Sequence, residues 1–526
     1  MTSPVTLYDT TLRDGAQREG LSLTVDDKLK VAGWLDQIGV HYIEGGWPGS
    51  NPKDIEFFRR VPELGLKTSK IACFGSTRRP STTADADAVV RELVASEAPT
   101  ACIVGKASSL QVTEAIGTTL DENLRMIEDT ISFLRREGLE VFFDAEHFFD
   151  GYRANPEYAL KVLEVAAGAG AATVVLCDTN GGSMPHDVAR VMDIVKGARD
   201  GAIGVHFHND TGCAVANTVI AVEHGAVHVQ GTINGIGERT GNANILTIAA
   251  NLTLKMGLPV LNDEQLATLT PAHFAVAEIC NITPDPHQPY VGASAFATKA
   301  GLHTSGLAKM AGAYEHVDPA NVGNARRLLV SELSGRSTIV MKGRELGLDL
   351  EKDADVAAAI LANVKQLEHV GYHFEAADAS LELLMRRHAG IEREFFRLES
   401  FRIGVEKRED GGVVSEATVK IWARGERYIS TAEGNGPVNA LDRALRTALV
   451  RFYPALESIE LVDYKVRILE EDAGTDSVTR VLIESQDGTR EWSTIGVSPN
   501  IIEASWQALV DSLNYGLIHS EHGDDA

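Results

Sequence analysis

Two histidines one residue apart, in Val205-His206-Phe207-His208-Asn209-Asp210, carry the strongest chemical signal in the sequence. Side chains alternate along a β-strand, so His206 and His208 share one face, roughly 7 Å apart along the strand. Their imidazoles can tilt onto a single ion at about 2.1 Å each. Val205 and Phe207 then face the other way, under covering helices. A pair of hydrogen-bonded core histidines is the competing reading, and it weakens if the pair points into a barrel at a strand's C-terminal end. A third ligand should be a hard oxygen from another strand end. Asp14, in Thr11-Leu12-Arg13-Asp14-Gly15, stands just beyond the first strand and can supply it, although Asp before Gly is also a common turn. Two imidazoles, a carboxylate and water suit a divalent ion such as Mg, Mn, Zn or Co.

Positioning these residues requires a repeated strand-loop-helix unit, and the first half of the chain supplies one. Strands lead into Tyr8-Asp9-Thr10, Tyr42-Ile43-Glu44, Ile71-Ala72-Cys73 and Ile103-Val104-Gly105, then Val141-Phe142-Phe143, Val174-Val175-Leu176, Val205-His206-Phe207 and Val229-Gln230-Gly231. Helical stretches such as 26–38, 121–137 and 155–169 lie between them. Eight such units over roughly 250 residues predict a (β/α)8 TIM barrel. A doubly wound sheet would place a glycine-rich phosphate turn after its first strand, where this chain has Leu12-Arg13-Asp14-Gly15. The glycine-rich 235–244 follows the eighth strand and could bind phosphate or let a substrate approach the backbone.

Beyond about Pro284 the pattern changes to a Gly- and Pro-rich stretch through Gly335, then mainly helix over 349–388, then alternating strands after Phe401. Two strand-strand-helix units are expected there, their helices opened by Gly434-Asn435-Gly436-Pro437 and Gly496-Val497-Ser498-Pro499. Their two helix N-termini would suit a small carboxylate. The fold class is therefore α/β, with a TIM-barrel catalytic domain over 1–275, a linker and mainly helical subdomains over 276–400, and an α+β regulatory or dimerisation domain over 401–526.

A formal charge of −25 argues against nucleic acid, because phosphate binding needs a basic face. It also requires any anion site to be made locally positive by a metal, an arginine or helix N-termini. No apolar run approaches the ~20 residues of a membrane span. The start of the chain enters a strand with no charged-then-apolar leader, so a cytoplasmic location is expected. Five scattered cysteines (Cys73, Cys102, Cys177, Cys213, Cys280) read as reduced thiols, not as a zinc or disulfide framework.

Leu12-Arg13-Asp14-Gly15, His206-Phe207-His208-Asn209-Asp210 and Gly237-Glu238-Arg239-Thr240-Gly241-Asn242 together resemble the acetyl-CoA-condensing TIM-barrel family. That family comprises isopropylmalate, homocitrate and citramalate synthases and is related to hydroxymethylglutaryl-CoA lyase. Residues 434–441 and Asp463-Tyr464-Lys465-Val466-Arg467 resemble its regulatory domain, so the likeness spans nearly the whole chain. The resemblance implies a divalent metal held by Asp14, His206 and His208, with Asn242 beside it, which would make the carbonyl of a 2-oxo acid electrophilic. It implies that Arg13 neutralises the substrate carboxylate or the oxygen gaining charge, that Glu44 orients Arg13, and that Glu146 and Thr179 are strand-end site residues. It further implies that His303, assisted by Glu146 and Tyr314, takes a proton from the acetyl methyl. The enolate then attacks the oxo acid, and water cleaves the thioester. Composition alone would leave His303 a packing or surface histidine.

Residues 44–53, Tyr314-Glu315-His316-Val317-Asp318-Pro319 and Leu333-Ser334-Gly335-Arg336-Ser337 resemble the branch that uses pyruvate. That branch implies a product feeding isoleucine synthesis, a C-terminal domain sensing isoleucine, and a homodimer. A pyruvate pocket needs a methyl-sized wall that excludes longer acids sterically, for which Trp47 and Phe142-Phe143 could offer bulk, although barrel core is the competing reading and the stronger one for Phe142. The chain departs from many relatives at His303-Thr304-Ser305, where an acidic residue is usual two positions after the histidine, and at Thr298-Lys299. Isopropylmalate or homocitrate synthesis on the same scaffold is the main alternative. A carbon–carbon lyase and a catalytically inactive amino-acid sensor are the others.

Overall fold

Hydrophobic alternation in the first half is resolved as eight parallel strands that close on themselves in chain order, in a computed structural model describing residues 5–198, 200–299, 301–310, 312–351, 353–469 and 477–520. They are β1 (Thr6–Asp9), β2 (Tyr42–Gly46), β3 (Lys70–Ser76), β4 (Thr100–Lys106), β5 (Glu140–Glu146), β6 (Thr173–Asp178), β7 (Ala202–Phe207) and β8 (His228–Gly231). Closure is made by β1, which pairs Tyr8 with Tyr42 of β2 on one side and with Gln230 of β8 on the other. All eight expected strands are present, and the parallel barrel is the expected fold.

Period-two alternation sorts the barrel side chains into two cores. Tyr8, Ala72, Phe74, Cys102 and Phe142 fill the interior. Their neighbours Leu7, Cys73, Ala101, Ile103 and Phe143 face outward under the helices. Phe142 is barrel filling, as its competing reading held, and Phe143 is helix packing; of the three aromatics only Trp47 borders the cavity described below. Each large apolar side chain so buried contributes about 1.5–3 kcal/mol.

The helices begin and end where local chemistry dictates. Val25–Ile38 opens with a reciprocal Thr24/Asp27 capping box and stops at Gly39 in the left-handed conformation (φ 90°). Pro156–Gly168 starts with proline at its first position, capped by the Asn155 side chain on Tyr158 N.

The chain divides into two compact units, Met1–Phe296 with Val317–Arg326, and Ala297–His316 with Arg327–Ala526. In the second, β9 (Ala297–Thr298) pairs with β10 (Arg327–Leu328), and helices Arg336–Glu345, Ala354–His369 and Asp378–His388 surround a core that includes Ile339, Ile360, Phe374 and Met385. Two antiparallel sheets follow. β11 (Phe396–Lys407), β12 (Val413–Ala423) and β13 (Glu426–Gly434) lead into helix Pro437–Leu449. β14 (Glu460–Ile468), β15 (Thr479–Gln486) and β16 (Glu491–Ser498) lead into helix Ile501–His519.

The duplication is real, but each unit has three strands where two were expected. The second helix also starts later than expected: Gly496–Ser498 end β16, and Asn500 caps the helix through its side chain on Ile502 N and Glu503 N. The five cysteines are free thiols, four of them buried. Among the described residues no helix is long and apolar enough to cross a membrane.

Candidate active site

The C-terminal strand ends of the barrel converge on a cavity of about 490 Å³ lined by Arg13, Asp14, Glu146, Thr179, His206 and His208, among others. Asp14 lies in the turn after β1, where its backbone N–H donates to Thr10 O. His206 is on β7, and His208 is one residue past its end, bridged to Asn242 in the loop after β8.

Asp14, His206 and His208 each offer a ligand atom within 4.8 Å of the others, and all three are buried. Asp14 Oδ2 is 3.2 Å from His206 Nε2 and 3.8 Å from His208 Nε2. Asn242 Nδ2 donates to Asp14 Oδ2 at 2.9 Å, while its buried Oδ1 has no hydrogen-bond partner. Burial works against the Asp14 charge, yet Arg13 and the two histidines hold its carboxyl well below the usual carboxylate range. Burial, reinforced by His206, pushes His208 down to about 4, so it is neutral with a ring lone pair to offer. An ionised carboxylate and two imidazole nitrogens facing one point form a donor set that fits a divalent cation, with the Asn242 amide nitrogen turned toward Asp14 and His206 beside it.

Arg13 stands over this cluster. Its Nε donates to Glu44 Oε2 at 2.6 Å, its guanidinium carbon lies 3.8 Å above the Phe74 ring, and Nη1 is 3.7 Å from Asp14 Oδ1. Glu44 is fully buried and accepts a second hydrogen bond from Tyr8 Oη at 2.8 Å. Burial alone would favour loss of the Arg13 proton, but Glu44 and Asp14 outweigh it and keep the guanidinium charged.

Opposite, Glu146 ends β5 in an ion pair with Lys106, which ends β4. Thr179 follows β6, and its hydroxyl accepts the His147 backbone N–H at 2.9 Å. Arg239 ties Thr179 O (2.9 Å) to Asp210, linking the ends of β6, β7 and β8.

The glycines after β8 serve packing. A Cβ on Gly237 would lie 1.9 Å from Asn242 Oδ1, and one on Gly241 (φ 90°) would lie 2.0 Å from Gly235 O. Both positions let the loop fold back and bring Asn242 to Asp14.

His303 and Tyr314 belong to the second unit, where their rings stack with centroids 4.2 Å apart. Lys106, Phe74 and Gln230 were given no role by sequence reasoning. Alternation along Ile103-Val104-Gly105 points Lys106 to the same side as Val104, the one signal that could have found it.

A closed parallel barrel with a carboxylate–histidine–histidine cluster at the C-terminal ends of its strands is the arrangement of a TIM-barrel enzyme whose site could hold a metal ion. The HMGL-like family model matches residues 4–272, the homocitrate synthase post-HMGL domain-like model residues 290–371, and the LeuA allosteric (dimerisation) domain model residues 375–517. The chain belongs to the HMGL-like family, in the branch that follows the barrel with a LeuA-type domain. It is 54% identical to an (R)-citramalate synthase of Streptomyces coelicolor over 98% of this chain and 97% of that one. It is 51% identical to an (R)-citramalate synthase of Aquifex aeolicus over 99% of each. A 2-isopropylmalate synthase of Pseudoalteromonas atlantica is 31% identical over 98% of this chain and 96% of that one.

Proposed function

We propose that the chain is an (R)-citramalate synthase, condensing acetyl-CoA with pyruvate and hydrolysing the thioester to release citramalate and CoA. The observation that carries this reading is the meeting of Asp14, His206, His208 and Arg13 at one cavity, in a chain half identical to (R)-citramalate synthases along its whole length. Asp14, His206, His208 and Asn242 would hold a divalent ion (Mg, Mn, Zn or Co), which when bound polarises the 2-oxo acid carbonyl.

Arg13, kept charged and aimed by Glu44, receives the carboxylate or the oxygen that gains charge during attack. The Thr179 hydroxyl accepts from His147 N, so its own proton is free to donate to the substrate. His303, with Tyr314 and Glu146, removes the acetyl proton. The proposed division of labour is a catalytic barrel over 1–275, a connecting region over 276–400 that supplies His303 and Tyr314, and regulation and dimerisation over 401–526. The protein works in the cytoplasm as a homodimer whose product serves isoleucine synthesis, with isoleucine binding to the C-terminal domain.

Thiol release from acetyl-CoA, with and without EDTA, across pyruvate, 2-oxoisovalerate and 2-oxoglutarate tests this. Metal-dependent release that strongly prefers pyruvate is expected. Preference for 2-oxoisovalerate would establish 2-isopropylmalate synthesis instead, and absence of release with every acid would overturn condensation. Isoleucine, added to the same assay, should inhibit the full-length protein; absence of both binding and inhibition would remove the regulatory part of the proposal.

A further inference from the structure

Beneath the carboxylate–histidine cluster, the barrel interior holds two polar residues behind His206, Gln230 and Asp144, that none of the roles above uses. Gln230 of β8 is 1% exposed, and Asp144 of β5 and His206 of β7 are also buried. Gln230 Nε2 donates to Asp144 Oδ1 at 2.9 Å, and Gln230 Oε1 faces His206 Nδ1 at 2.8 Å. Gln230 and His206 are register partners on the adjacent strands β7 and β8, whereas the contact to Asp144 crosses the barrel interior to β5, which is not a neighbour of β8.

Its direction follows from donor chemistry. The 2.9 Å contact turns the amide NH2 toward the Asp144 carboxyl, whose Oδ1 accepts. That leaves the amide oxygen toward His206, which can meet it only by carrying its proton on Nδ1. The second ring nitrogen, Nε2, then presents its lone pair 3.2 Å from Asp14 Oδ2 and 3.3 Å from Asn242 Nδ2. With the amide reversed, Nδ1 would be the acceptor and Nε2 would carry the proton. The imidazole could then donate to Asp14, but it could not bind a cation beside it.

We propose that Gln230, oriented by Asp144, is a positioning residue that fixes the His206 tautomer and so makes this histidine a metal ligand. The inference rests on the metal-site reading of Asp14, His206 and His208. A side chain behind a ligating histidine commonly changes metal affinity 10- to 100-fold when removed. Methionine matches glutamine in length but neither donates nor accepts strongly. Glutamate at the same place keeps an acceptor for Nδ1–H, and its carboxylic proton can be shared with Asp144.

The test is titration of Mn2+ into chelator-treated full-length protein, with free Mn2+ followed by electron paramagnetic resonance, for wild type, Gln230→Met and Gln230→Glu. The expected result is a Kd at least tenfold higher in Gln230→Met, with Gln230→Glu within fivefold of wild type. A smaller rise in Gln230→Met, or an equal loss in both variants, overturns the proposal. Should Gln230→Met not fold, Gln230→Glu decides alone, affinity within fivefold supporting the proposal and a larger loss overturning it. His208→Gln separates the two levels: if wild type binds Mn2+ no better than this variant, the metal-site reading itself has failed, and this inference with it.

Discussion

Arg13 is held on two sides before any substrate arrives, by Glu44 on its Nε and the Phe74 ring against its guanidinium face. Lysine cannot reproduce that arrangement, because an ammonium has neither the planar fork nor the stacking face. Arg13→Lys should lower kcat of thiol release by about 10²–10³, the loss typical of one donor to developing charge, about 2.7–4 kcal/mol. A loss below tenfold in an otherwise folded variant would show that Arg13 is not that donor. A second residue-scale prediction concerns His228, buried between Tyr8 and Phe142, whose ring nitrogens burial pushes down to about 3. Because the folded-state pKa lies below the unfolded value of about 6.5, the unfolded chain takes up the proton first as pH falls. The contribution of neutral His228 to stability is thus full above pH 6.5 and is lost progressively toward pH 3. His228→Phe should flatten this part of the pH dependence in urea unfolding, relative to wild type; parallel curves would exclude it. The His206/His208 pair was legible because two of a rare residue type were spaced to share one strand face. Gln230 was not, because its partner Asp144 is 86 positions away and only barrel closure brings them together.

The elements show the same division between local and distant causes. Strand positions could be read because each barrel strand is a short apolar run, and helix starts could be read from caps such as Thr24 and Asn155. The C-terminal strand count could not. β13 (Glu-Arg-Tyr-Ile-Ser-Thr-Ala-Glu-Gly) is largely polar and buries fully only Ser430, so its alternation is faint. The second element-scale feature is the end of β2, where the register shifts between Glu44 and Gly46 and a buried Lys28–Asp54 ion pair stands behind it. Lys28 also donates to Gly45 O at 2.9 Å, and Asp54 Oδ2 accepts from Trp47 N at 2.9 Å, so the pair fixes the turn that carries Trp47 to the cavity. Asp54→Ala leaves the Lys28 ammonium buried without its counter-charge and should cost about 3–5 kcal/mol in urea unfolding. The double variant Lys28→Met/Asp54→Leu should recover much of that, since an apolar pair of similar volume avoids the desolvation cost. A double variant as unstable as Asp54→Ala would mean that the hydrogen bonds to the turn, and not the stranded charge, carry the energy.

At the scale of the whole molecule, a chain of net charge −25 is proposed to take two anionic substrates. The resolution is one of distance. Arg13, Arg78, Arg79, Lys106 and Arg239 border the cavity beside Asp14, Asp144, Glu146 and Glu238, so attraction by these cations acts only within a few ångströms, whereas the summed surface repels an approaching anion from farther away. Salt acts on these two ranges unequally, shortening the Debye length from about 30 Å at 0.01 M to about 10 Å at 0.1 M. Repulsion summed over the surface is screened in that interval, while short contacts in a partly buried cavity are screened much less. kcat/KM for acetyl-CoA should therefore hold level or rise, by up to about threefold, as ionic strength increases over that interval, measured by thiol release at fixed metal and saturating oxo acid. A steep fall would mean that the basic rim dominates even at long range and steers the substrate in. The acidic surface would then serve solubility alone, and substitutions on the rim, such as Arg239→Gln, should reduce the salt slope along with the rate.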